Sequence, residues 1–195
     1  MRFLYLAGYA YVALAALFWL GGQRVDDAQL HFHPQTANSG SGSLPAEIAW
    51  FRAMRPYCNP VEVETRHRWT PAPQSHEGAA YSAACYALAG KIDRARALID
   101  DLPADERWRA AGVVFNAGHS VADAGDDEAA GPIMELVVEY WPNHYMALYH
   151  AGMSRYLLGD GAAARQHLES FLRHYQQDDG WTRNARVVLD RLELE

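Results

Sequence analysis

The sequence predicts an all-α protein: a stack of three helical hairpins, closed by a C-terminal helix and preceded by a transmembrane helix. Three observations predict it. Apolar residues recur at helical spacing from residue 76 to the C-terminus. Small residues repeat in register three times along that stretch. The first 22 residues are almost free of charge. At 195 residues, half of them hydrophobic, the chain can bury one substantial core. Its 17 basic and 24 acidic residues give a net charge of -7, and no basic block interrupts them, which argues against a nucleic-acid surface. Lys91 is the single lysine, and the arginines of the C-terminal half recur at helical spacing, as on a solvated helix face.

Residues 1–22, "MRFLYLAGYAYVALAALFWLGG", carry Arg2 and then about twenty uncharged residues, which as a helix would span about 30 Å, the thickness of a bilayer's hydrocarbon core. An uncleaved anchor is the favoured reading. A cleaved secretory signal ending near "ALAA" is the rival, but it would leave the apolar "LFWLGG" on the mature chain. Arg2 before the segment and Asp26 and Asp27 after it place the body outside, on the periplasmic side of a bacterial inner membrane, as a single-pass protein. Gly8, Ala15 and Gly22 recur every seven residues, and Tyr5, Tyr9, Tyr11 and Trp19 lie toward the ends.

Residues 23–44 are polar and end in a Gly/Ser tract, which reads as a flexible linker. Residues 45–75 form a short helical N-terminal cap region. One helix runs between Pro45 and Pro56 with Ile48, Trp50, Phe51 and Met54 on one face. A second starts at Asn59, with Pro60 at its first position and Glu62 three beyond the cap, although Val61, Val63 and Thr65 also alternate as in a strand. "TPAPQSHEG" then breaks the chain. Cys58 and Cys85 lack CxxC spacing; they form either one disulfide or two separate buried thiols.

From residue 76 onward the chain repeats. Ala83, Gly90 and Ala95 shift by 35 residues to Gly118, Gly125 and Ala130, and these by 34 to Gly152, Gly159 and Ala164. Each set has an apolar helix before its second column and another after it. The pattern resembles the tetratricopeptide repeat, a helix-turn-helix unit of about 34 residues that stacks into an α-solenoid. That family places a small residue in the first helix, Gly at the turn, Ala in the second helix and Pro at the close, here Pro142. The first unit departs, with Ala83 for Gly, an early Pro103 and one extra residue. The units fall at 76–109, 111–144 and 145–178, and residues 179–195 make an amphipathic helix similar to the cap such stacks need.

The resemblance implies a partner-binding groove lined by the first helices: Phe115, His119, Asn143, His144, Met146, Tyr149, Met153 and Tyr156. Relatives that grip a peptide carboxylate use basic residues at these places. Here the set is apolar and aromatic, which suits an apolar helix or extended segment of a partner. The competing expectation is that the chain's own residues 45–69 fill the groove.

No chemistry competes strongly with this. There is no GxSxG elbow, P-loop or dinucleotide fingerprint, so neither an enzyme, catalytic residues nor a cofactor is expected. The pairs Asp100/Asp101 and Asp126/Asp127 sit at helix ends, where Asp caps and solvates. Of nine histidines, His31 and His33 would share one face of a strand, but they lie in the linker and have no further ligand at metal spacing, so no metal site is expected; His167 and His174 read as solvated surface. The expected function is a membrane-anchored scaffold or accessory subunit of a larger assembly such as a respiratory or photosynthetic complex. Its partners would be other subunits of that complex, through anchor and groove, and the lipid bilayer, with no nucleic acid. The alternatives are a purely structural subunit, and a membrane-tethered metal-binding protein or enzyme using the histidines.

Overall fold

Glycine at three turns divides the body into hairpins. Gly90, Gly125 and Gly159 have φ of +70°, +86° and +77°, the left-handed backbone that a side chain disfavours, and each directly follows a helix. The computed structural model describes residues 44–194, all in one compact unit, and among them helices are the regular structure found, with no strand. The expected anchor 1–22, the linker up to residue 43, and His31 and His33 lie outside the described residues. Among the described residues no helix is long and apolar enough to cross a membrane.

Among the described residues nine α-helices follow one another. Helix α1 (Ala46–Met54) runs into a 3-10 turn (Arg55–Tyr57) and is followed by α2 (Val63–Trp69). The three hairpins are α3 (His76–Leu88) with α4 (Ile92–Asp100), α5 (Arg107–Asp123) with α6 (Asp127–Tyr140), and α7 (Tyr145–Leu157) with α8 (Gly161–His174); α9 (Gly180–Glu193) closes the chain. Side-chain caps account for several starts. Ser75 accepts from Gly78 N, Asp126 from Ala129 N, Asp160 from Ala163 N, and Asp179 forms a full capping box with Thr182. Asn59 caps the turn before α2, its Oδ1 accepting from Val61 N and Glu62 N at 3.1 and 3.0 Å. Residues 63–69 are therefore helix, and the strand alternative is excluded.

Small residues mark where the helices of a hairpin come closest. A Cβ on Gly118 would lie 2.7 Å from Ile133 Cγ2, and one on Gly152 2.7 Å from Leu168 Cγ. Ala83, Ala95, Ala130 and Ala164 are fully buried. The two junctions between hairpins differ, however. Helix α3 packs along α5 at the first, whereas α6 packs along α7 at the second. The first hairpin is also the one whose spacing departs in sequence, and α5 begins at Arg107, inside the stretch expected to belong to the first unit.

The core runs in two clusters. The larger joins Phe51, Met54 and Val63 of the N-terminal segment to α3–α6, and the smaller gathers Leu148, Tyr149, Leu168 and Phe171 with Ala185 and Val188 of α9. Helix α7 shares in both, with Ala147 and Ala151 facing one and Leu148 and Tyr149 the other. Cys58 and Cys85 are joined as a disulfide across a 27-residue separation, which ties the N-terminal segment to α3.

Candidate functional site

The expected groove residues fall into two groups with different surroundings. Phe115 and His119, one turn apart on α5, stack at 4.7 Å, and Phe115 lies 4.1 Å from the ring of His144. His144 is the N-cap of α7, its Nδ1 accepting from Ala147 N at 3.3 Å. Trp141 meets His144 edge-on at 4.6 Å and Trp108 at 5.4 Å. The ring lies against Gly112, where a Cβ would sit in ordinary contact, 3.4 Å from Trp141. A ladder of rings thus runs along the junction of the second and third hairpins. Trp108 is 41% exposed, Asn143 is exposed, and Met146, two residues after His144, is half-buried.

The second group, Tyr149, Met153 and Tyr156, lies under the C-terminal helix. Tyr149 is buried, 4.9 Å from Trp181 and 5.2 Å from Phe171, and Asn184 Nδ2 donates to its hydroxyl at 2.6 Å. The same nitrogen sits 3.8 Å from Met153 Sδ. Met153 and Tyr156 are half-buried against the same cluster. Tyr149 is therefore a core residue and not an open contact, because α9 covers it. Residues 45–69 do not cover these three; they pack on α3, with Phe51 5.0 Å from Tyr81, and Arg55 donates to Ser120 Oγ at 3.0 Å.

Between the two groups stands His150, which sequence reasoning passed over. It is 2% exposed, and its Nδ1 lies 2.7 Å from Asp127 Oδ1. A carboxylate oxygen in that position only accepts, so Nδ1 is the donor of this bond and Nε2 is the ring nitrogen left over. Its ring meets those of His119, Tyr149 and Trp181 at 5.2, 5.2 and 5.8 Å. His119 Nδ1 lies 3.3 Å from Asp123 Oδ2. The Nε2 atoms of His119 and His150 are both buried and have no hydrogen-bond partner. One ligand atom from each of His119, Asp123 and His150 lies within 4.8 Å of the others, and these three could hold a metal ion.

Burial sets the protonation of this region. It pushes His144 down to about 4, helped by the neighbouring His119, and lowers His119 against the opposing pull of Asp123. His167, expected on the surface, is half-buried; burial lowers its pKa too, with Glu135 4.0 Å away pulling the other way. The signals that pointed toward the cluster were local: His119 and Asp123 are four residues apart on one helix face, whereas His150 and Asp127 meet only through the packing of α6 on α7.

The class these features define is an all-α protein of consecutive helical hairpins with a histidine-rich junction. No family model, no curated protein and no solved structure matches the chain.

Proposed function

We propose that the chain is a membrane-anchored interaction module, an α-solenoid of three tetratricopeptide-like hairpins that serves as a scaffold or accessory subunit of a larger membrane assembly. Its body stands on the periplasmic side, where the Cys58–Cys85 disulfide fits an oxidising compartment. The observation that carries the reading is the ladder of rings from Trp108 through Trp141 to His144, half-open to solvent, with Met146 two residues after His144. Rigid aromatics with an adaptable thioether suit an apolar partner segment, and an anchor concentrates both partners in one plane. In this reading α9 closes the third hairpin, which leaves the junction of the second and third hairpins as the docking face.

The test is copurification from native membranes with the full chain. Trp108→Ala and Met146→Ala together should abolish capture of the partners that the wild type retains while helicity is unchanged. Equal capture by the variant rejects the docking face. Removing residues 1–22 should release the protein from the membrane fraction, and retention there rejects the anchor.

A further inference from the structure

We propose that His119, Asp123 and His150 bind a divalent transition-metal ion of the zinc class, with Asp127 holding His150 in place. Four observations meet at this point. The Nε2 atoms of His119 and His150, whose rings meet edge-on at 5.2 Å, are both buried without a partner, an arrangement that ordinarily destabilises a fold. A bound ion would remove that deficit. The donors are already close: tetrahedral bonds of about 2.1 Å place ligand atoms about 3.4 Å apart. The three donors, within 4.8 Å of one another, would have to close by little more than a side-chain rotation.

The tautomer is the third. With the Nδ1 proton of His150 committed to Asp127 at 2.7 Å, Nε2 is the nitrogen left for an ion, and a carboxylate behind a ligating imidazole is the usual means of fixing such a ring. The fourth is charge. Two imidazoles and one carboxylate, backed by a second carboxylate, suit a divalent cation, and imidazole donors select zinc, copper or nickel over magnesium or calcium. Three protein ligands would leave a fourth position for water or a further ligand, and Asp123 is exposed to solvent.

The inference does not rest on the docking face, and its test needs no partner. Full-length protein in detergent carries His31→Ala and His33→Ala, so that these histidines add no competing ligand. It is stripped with chelator and titrated with zinc by calorimetry. One zinc per chain is expected. Asp123→Asn and His119→Gln should each weaken it at least tenfold, and Asp127→Asn, which can still accept from Nδ1, about tenfold. Unchanged circular dichroism of the zinc-free variants shows that the fold is kept. Absence of stoichiometric zinc in the parent protein, or a loss below tenfold in either Asp123→Asn or His119→Gln, overturns the proposal.

Discussion

Asn184 of α9 donates a 2.6 Å hydrogen bond to the hydroxyl of Tyr149 in α7, and so the last helix is latched to the third hairpin by a partly buried polar contact as well as by apolar packing. Trp181, edge-on to the same tyrosine at 4.9 Å, completes the closure.

Loosening that latch should cost stability in steps. Tyr149→Phe removes one hydrogen bond and leaves the Asn184 amide without that partner, a loss of about 1 kcal/mol. Trp181→Ala, at a partly exposed site, should cost about 2 kcal/mol. Removing residues 179–195 exposes the faces of Leu168 and Phe171, both fully buried, and should yield an aggregating protein. Urea unfolding followed by circular dichroism measures the first two. If Trp181→Ala unfolds at the same urea concentration as the wild type, α9 does not close the stack.

The disulfide makes a second prediction. Closing a 27-residue separation should stabilise the fold by about 3 kcal/mol, chiefly through the unfolded chain. Cys58→Ser with Cys85→Ser, or reduction by dithiothreitol, should lower the thermal midpoint by several degrees, with equal effects of the two treatments. A midpoint insensitive to reductant would sink the pairing.

The glycines separate two kinds of constraint. Gly152→Ala drives a methyl into Leu168, which is itself fully buried, and should cost about 2 kcal/mol through overpacking. Gly159→Ala meets nothing within 4 Å but must hold φ near +77°, at a cost of about 1 kcal/mol. In a Leu168→Ala background the first penalty should vanish and the second persist, a double-mutant cycle read by denaturation. Persistence of both would contradict the packing account of Gly152.

Acid should weaken the fold through His144. The unfolded ring protonates near 6.5 and the folded one only near 4, so between these values the unfolded chain holds the extra proton. Stability is therefore complete above about pH 6.5 and falls as pH drops toward 4, by about 2 kcal/mol from this ring. Protonating Nδ1 also removes the acceptor that caps α7. His144→Asn keeps a capping acceptor but does not titrate, so its stability should decline less over the same window. Parallel pH curves for the two proteins would remove His144 from the account.

The hairpins were legible in sequence because their constraints are local. A turn at positive φ demands glycine, a close approach demands a small residue, and a helix start favours Ser or Asp, so each leaves a mark at its own position. The start of α5 left no such mark, since no side chain caps it and "RWRAAGV" reads equally well as the end of one unit or the start of another. The covering of Tyr149 was illegible for a different reason. Trp181 and Asn184 look like the exposed first turns of an amphipathic helix, and exposed they are; only the packing of α9 against the third hairpin lays them over Tyr149. Asp127 likewise has the form of a helix-end carboxylate, and what distinguishes it from Asp126 is the imidazole brought to it from 23 residues away.

The disulfide also decides how the molecule bears a pull. Tension entering from the residues before Cys58 passes through the sulfur bridge straight into α3, bypassing the 27-residue loop that it closes. About 90 Å of extensible chain is thereby locked away from the load. Under reducing conditions the part of that slack before α3, residues 59–75, would pay out first, and α2 would be stripped from the body before α3 unwound.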